Sequence, residues 1–417
     1  MIEAKNSAPS RAWGWGACLA LLTVVASGSF ALGCRKSAAQ RQHDHVGHAK
    51  FRRDRTTTRS PTRTTPTTRS EKPTAPSTRP TMPALSRGLA PLPRGVQRGI
   101  CYAHNWQGGG VRGYGSAASL ASKRELWALG VRWISLTPFG WQPSLTSREV
   151  HLAPSHRAGE NDRRIEREIR QARQLGLKVQ LKPHIWVRRG AWRGAIQPAG
   201  VDGWQSWFAS YRRFILHYAR LAERLKVDAF VVGVEFKSSS RSQRVEWEKT
   251  IAAVRAVYRG PLTYAANWDE VATIEFWDKL DWIGVQFFPP LTTKLEPSDA
   301  ELLAAVKRHL ARYRRVSKRF GKPLLFTEVG YKSVHGTAIR PWDWPENLAD
   351  SMRRYDARAQ AQAFRAFFLG LRDVEKLAGV FVWKWFSDVD TDEEGRLGFS
   401  PRGKIASQVI RAVFDGR

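Results

Sequence analysis

Eight short runs rich in Val, Ile, Leu, Phe and Trp recur along the chain after Gly99, each separated from the next by a longer polar or amphipathic stretch. They are RGICYAH (98–104), VRWISLTP (131–138), LKVQLKPH (177–184), VDAFVVGVE (227–235), PLTYAANW (261–268), LDWIGVQFF (280–288), KPLLFTE (322–328) and AGVFVWKWF (378–386). Near-continuous apolar runs of this length describe strands covered on both faces. Between them, DRRIEREIRQARQLG (162–176), WFASYRRFILHYARLAERLK (207–226) and DAELLAAVKRHLARYRRVSKRFG (299–321) have the spacing of amphipathic helices, and SQVIRAVF (407–414) adds one more near the C-terminus. Strands alternating with helices give a parallel sheet. Eight such units predict an α/β fold, a (β/α)8 TIM barrel over residues 97–417. The competing arrangement, a doubly wound open sheet, calls for GxGxxG opening a helix after the first strand. The glycines of NWQGGGVRGYG (105–115) open no helix.

The sequence ahead of this body has a different texture. Lys5 and Arg11 lead into the apolar stretch WGWGACLALLTVVASGSFAL (13–32), which ends in ALGC (31–34), so residues 1–34 are expected to be an export signal. ALGC resembles the lipobox of bacterial lipoprotein signals, in which the cysteine, here Cys34, becomes the lipidated first residue. An ordinary cleaved signal and an uncleaved membrane anchor are the alternatives, the latter because the stretch approaches the roughly 20 residues that span a bilayer. Each places the body outside the cytoplasm, in the cell envelope or secreted, with an N-terminal lipid or apolar anchor as its membrane contact. Residues 35–96 are dominated by Arg, Thr, Ser and Pro and are expected to form a disordered basic linker.

The net charge of +31 prompts a nucleic-acid reading, but its placement argues otherwise. Between Arg35 and Arg98 there are 15 Lys or Arg against 3 Asp or Glu, with Phe51 the one aromatic among them and no binding motif. That is a solvated spacer, and no specific nucleic-acid partner is expected. HDHVGH (43–48) lacks the surrounding groups that orient metal-ligating histidines, so no metal is assigned to it. With Cys18, Cys34 and Cys101 as the three cysteines, no disulfide framework is expected, and Cys101 reads as a core residue.

Two of the eight apolar runs end in a carboxylate: Glu235 closes the fourth and Glu328 the seventh. In a barrel the side chains at the carboxyl ends of the strands converge on the active site. Strands four and seven lie on nearly opposite sides of the mouth, so the two glutamates can face one another across a gap. Cleavage of a glycosidic bond requires such a pair, one group to protonate the leaving oxygen and one to attack or stabilise the anomeric carbon. Asp269, Glu270 and Asp388 follow their strands by a residue or more and read as loop, cap or substrate hydrogen-bonding groups. Aromatics provide a second signal. Of the 18 Trp, Trp106, Trp141, Trp186, Trp192, Trp268, Trp342, Trp344, Trp383 and Trp385 stand at or just after strand ends, where flat rings can face pyranose rings. Trp127, Trp204, Trp207 and Trp247 fall in helices and read as packing.

Together VVGVEF, LTYAANWDE, DWIGVQFFPPL, LLFTEVGYKS, the AWRG that follows LKPHIW, and VWKWF resemble glycoside hydrolase family 113, over about residues 97–415. This family belongs to the large clan of retaining glycosidases with the acid/base on strand four and the nucleophile on strand seven. The resemblance implies a retaining (β/α)8 hydrolase acting on a β-1,4-linked, mannan-like polysaccharide, with no metal or cofactor. By position Glu235 would be the acid/base and Glu328 the nucleophile. The same motifs and strand-end aromatics mark Trp106, His184, Trp192, Arg193, Asn267, Trp268, Phe288, Tyr331, Trp383 and Trp385 as substrate-binding. Two positions depart from the clan's pattern: Val234 stands where many members place an Asn that bonds the sugar 2-hydroxyl, and Phe288 where a Tyr hydroxyl is usual. The alternative function is a carbohydrate-binding envelope lipoprotein whose barrel has impaired catalysis. A monomer is expected.

Overall fold

Eight parallel strands close a barrel in chain order, and the last bonds back to the first: β1 (Gln97–Ala103), β2 (Trp133–Leu136), β3 (Lys178–Leu181), β4 (Ala229–Val234), β5 (Leu262–Asn267), β6 (Trp282–Phe287), β7 (Leu324–Val329) and β8 (Leu377–Phe386). Each of the eight apolar runs supplies one strand. In this computed structural model the described residues are 83–105, 111–152, 161–388 and 394–415. The leader with Cys34, the tether up to residue 82 and Trp106 lie outside them.

Among the described residues, seven helices of nine or more residues surround the barrel: α1 (Ala117–Ala128), α2 (Asp162–Gln174), α3 (Gly203–Arg224), α4 (Arg244–Val257), α5 (Asp299–Phe320), α6 (Ala357–Gly370) and α7 (Ala406–Phe414). Their starts follow local chemistry. Asn161 caps α2 through its side chain, and Ser298 with Glu301 forms a capping box on α5, which ends at Gly321 in the left-handed conformation. The expected helix after β5 is missing. The connection from β5 to β6 contains only the 3-10 turns Val271–Thr273 and Trp277–Lys279. These turns bury Val271, Ile274, Phe276 and Trp277, so the barrel's outer face is covered there without a helix.

Apolar side chains between strands and helices form the large core, while Cys101, Leu325 and Phe381 form a separate cluster with Trp133, Trp282 and Trp383. The division follows strand alternation: Ile100 and Tyr102 belong to the helix-facing core, Cys101 to the barrel interior. One further feature departs from the sequence expectation. The end of the segment assigned to the linker lies against the barrel: the short helix Pro83–Ser86 touches α6 and α7, Leu85 is buried, and Leu89 and Leu92 pack on the same core. Leu92 N donates to Val413 O at 2.9 Å. Three leucines at spacings of four and three residues are enough apolar surface to dock a chain otherwise too polar to fold.

Candidate active site

Side-chain alternation along β7 would turn Glu328 toward the helices, because Leu324 and Phe326 both lie in the helix-facing core. The pairing of β7 with β6 and β8 instead skips at Thr327. An irregularity of this kind re-aims the next side chain, and Glu328 turns into the mouth, 4% exposed. There its Oε1 accepts a hydrogen bond from the ammonium of Lys182, the first residue after β3. Lys182 also donates to Thr327 O at 3.2 Å and to Cys101 Sγ at 3.5 Å. Burial pushes the Cys101 thiol up to about 12, so at neutral pH it carries no charge. Burial pulls the Lys182 ammonium down, while Cys101 and Glu328, both of which accept hydrogen bonds from it, raise its pKa above the ordinary lysine value. The result is a buried ion pair.

Glu235 follows β4 directly, with φ +55°, in the left-handed region that non-glycine residues seldom occupy. Such a conformation costs about 1–3 kcal/mol and persists only where neighbours hold it. Here Glu235 N donates to Ala265 O (2.9 Å), Phe236 N to Tyr264 Oη (2.7 Å) and Lys237 N to Glu235 O (2.9 Å). The side chain is 15% exposed, its Oε2 3.3 Å from Arg193 Nη1. Burial pushes its pKa up to about 7, the charge of Glu328 adds to the rise, and Arg193, Lys182 and a hydrogen bond from Trp192 oppose it. One glutamate is therefore paired with a lysine, while the other holds a proton for part of the time near neutral pH.

The other expected site residues divide into three groups. His184 and Trp383 stand with Glu328: His184 Nε2 lies 3.8 Å from Glu328 Oε1, and its ring stacks on Trp383 with centroids 6.5 Å apart. Burial pushes the His184 pKa well below the usual imidazole range, so this contact joins a neutral ring to a carboxylate. Phe288 closes the same side. A Cβ on Gly330 would meet Trp383 O at 2.7 Å and the Phe288 ring at 3.2 Å, so the glycine after Glu328 admits both. Trp192, Arg193 and Asn267 stand with Glu235. Asn267 donates to Asp269 Oδ1 at 2.9 Å, Asp269 pairs with Lys237, and the Lys237 ammonium lies 5.9 Å from the Trp192 ring centroid.

Trp268, next in the chain to Asn267, is stacked on Trp342 with centroids 6.1 Å apart. Tyr331 and Trp385 are packing residues. Tyr331 is 0% exposed and edge-on to Phe364 of α6; Trp385 is 2% exposed, donates to Ser122 Oγ and lies under Arg402. The remaining carboxylates brace loops, as expected. Glu270, its pKa pushed up to about 8 by burial, accepts from Asn267 N and Ser240 Oγ, and Asp388 pairs with Arg112.

Sequence reasoning missed Lys182 as a site residue. Its one signal was a charged residue inside the apolar run LKVQLKPH. Phe288, the first residue after β6, has no donor to offer, and the hydrogen bond to Glu328 comes from Lys182 after β3. Val234 is fully buried with Val231 and Ala265 and offers no hydrogen bond. Among the described residues no group of three or more His, Cys, Asp or Glu is placed to hold a metal ion.

The fold has solved counterparts. A GH113 β-1,4-mannanase solved as a complex is 27% identical, with a TM-score of 0.66, covering 77% of this chain and 99% of its own. The GH113 β-mannanase AaManA from Alicyclobacillus acidocaldarius, in complex with ManMIm, is 28% identical with a TM-score of 0.67, covering 77% of this chain and 98% of its own. No curated relative matches the sequence. Residues 103–401 match the profile of Glycoside Hydrolase Family 113, and with a (β/α)8 barrel carrying a glutamate at the mouth end of strands four and seven, the chain belongs to that family.

Proposed function

We propose that the protein is a retaining hydrolase of a β-1,4-linked, mannan-like polysaccharide, with Glu328 as nucleophile and Glu235 as acid/base. The observation that carries the reading is the contrast between the two carboxyls: Glu328 faces a buried ammonium, while burial and the charge of Glu328 push Glu235 up to about 7. Pairs whose surroundings separate their proton affinities mark the acid and the base. In the first step a carboxylate oxygen of Glu328 bonds to the anomeric carbon, the glycosidic C–O bond breaks, and Glu235 gives its proton to the departing oxygen. The ester at Glu328 no longer carries charge, which removes one cause of the raised pKa of Glu235. Glu235 is then fit to take a proton from water as the water oxygen displaces Glu328.

The mannan-like substrate is supported by the two similar structures, both described as β-mannanases. The lysine at Glu328 supports the assignment of nucleophile, since a buried hydrogen bond from its ammonium holds the carboxylate in place at the mouth. We also propose that the enzyme is exported and held at the envelope through Cys34. The test of function is a panel of β-linked polysaccharides with anomer-resolved NMR of the first products, run beside Glu328→Ala. Release of the β-anomer from mannan, absent in the variant, is expected; first release of the α-anomer would overturn the retaining assignment. Lipid labelling lost in Cys34→Ser tests the anchor.

A further inference from the structure

The ladder between β2 and β3 does not stop at the barrel mouth. After Pro138 and Pro183 both chains re-form as strands, Phe139–Gln142 and His184–Val187, which pair in parallel, and His151–Leu152 joins antiparallel. No sequence expectation covered this three-stranded sheet, and neither the glutamate chemistry nor the fold requires it.

Its two faces differ. Successive side chains in a strand point to opposite sides. On one side Gly140 lies against α3, where a Cβ would come within 2.4 Å of the Phe214 ring, and Gln142 accepts from Trp207 Nε1 at 2.8 Å. That side is anchored. The other carries Phe139 and Trp141, opposite His184 and Trp186 in register, with His151 opposite Trp141. The rings are in sequence: Trp383 to His184 (6.5 Å between centroids), His184 to Phe139 (5.2 Å), Phe139 to Trp186 (6.3 Å), and, at the outer end, Trp141 stacked on His151 (4.6 Å, planes 26° apart). Outward from His184 the exposure rises, from 2% there, through partly buried Phe139 and Trp186, to 40% at Trp141.

We infer that this aromatic face is a distal binding surface for the polysaccharide, with Trp141 as its outermost sugar platform. The inference rests on the hydrolase reading above and extends it from one bond to a run of sugar units. The occupant is set by continuity: the series passes through His184, whose Nε2 lies 3.8 Å from the carboxylate of Glu328, so what lies along it is more of the chain being cleaved. Aromatic faces take the C–H faces of pyranose rings, and a Trp held rigid by a stacked neighbour loses little freedom on binding.

The test compares Trp141→Ala with the native enzyme in two readouts. One is the ratio of kcat/KM on a long β-1,4-mannan to kcat/KM on an aryl β-mannobioside. The other is retardation during electrophoresis through a gel containing the same mannan, repeated in a Glu328→Ala background. Loss of one stacking platform is expected to lower the ratio by about five- to tenfold, chiefly through KM on the polymer, and to reduce retardation in both backgrounds. An unchanged ratio with unchanged retardation overturns the proposal. So does an equal loss on both substrates with retardation unchanged, the pattern of general damage. If the native enzyme hydrolyses no mannan but is retarded, and Trp141→Ala is not, the binding surface stands and the hydrolase reading falls. If the native enzyme shows neither turnover nor retardation with any polysaccharide in the panel, both fall.

Discussion

Lys182, the first residue after β3, donates a hydrogen bond to Glu328 on β7, a residue 146 positions further along the chain. Both side chains are nearly inaccessible, at 0% and 6% exposure. Removing one member of a buried ion pair leaves an uncompensated charge, which costs about 3–5 kcal/mol, whereas removing both is far milder. Lys182→Met should therefore lower the unfolding free energy by about that amount and depress turnover. The double variant Lys182→Met/Glu328→Gln should recover most of the stability, though not the activity. A double variant destabilised by the sum of the two single changes, measured by denaturant unfolding, would show that the two residues are not coupled.

The two glutamates should fail differently. Glu328→Ala should abolish turnover on every substrate, since no glycosyl-enzyme can form. Glu235→Ala should lose about 10²–10⁴-fold on polysaccharide but much less on an aryl glycoside whose phenolate departs without a proton. Added azide should restore turnover to Glu235→Ala and yield a β-glycosyl azide. An α-azide would exchange or cancel these roles.

Glu235, with its pKa pushed up to about 7, must be protonated for the first step, so kcat/KM should fall as pH rises through about 7. Arg193 favours the ionised form and so lowers this pKa. Arg193→Met should accordingly move the alkaline limb to higher pH, whatever it does to the maximum rate. A limb that stays in place or moves down, in profiles at constant ionic strength, would remove Glu235 from the role of acid.

Truncation should distinguish tether from body. A chain starting at Pro83 should melt with a chain starting at Arg35, because residues 35–82 are too polar and Pro-rich to bury a core. A chain starting at Pro93 loses the contacts of Leu85, Leu89 and Leu92 and should be destabilised by several kcal/mol, at about 1.5–3 kcal/mol for each fully buried leucine and less for the two partly buried ones. Calorimetry of the two truncations makes the comparison.

Tyr331 tests packing against substrate contact. Its hydroxyl is buried with no hydrogen-bond partner, so Tyr331→Phe removes a polar atom that is unsatisfied in the fold. Stability should rise slightly or stay level, and KM for mannan should change by less than about twofold. A marked rise in KM would return Tyr331 to the binding surface that its motif suggested.

The sequence by itself determined the parts of this protein that depend on neighbours in the chain. Eight apolar runs became eight strands because burial on both faces demands continuous apolar sequence, and Glu235 and Glu328 stood out because a charge cannot end such a run without a use for it. Tertiary structure decided what those residues meet and which way they point. The skipped pairing at Thr327 turns Glu328 into the mouth against its expected side-chain alternation, and closure of the barrel brings Lys182 and Cys101 to it from strands far away in sequence. Strand-end position did not separate Trp383, beside the site, from Trp385, which packs under Arg402, because the two have the same local surroundings and differ only in which side of β8 they leave. The missing helix after β5, the docking of Leu85 and the second sheet carrying Trp141 share that cause: each depends on an apolar surface presented by a distant segment, and local periodicity records nothing of such a surface.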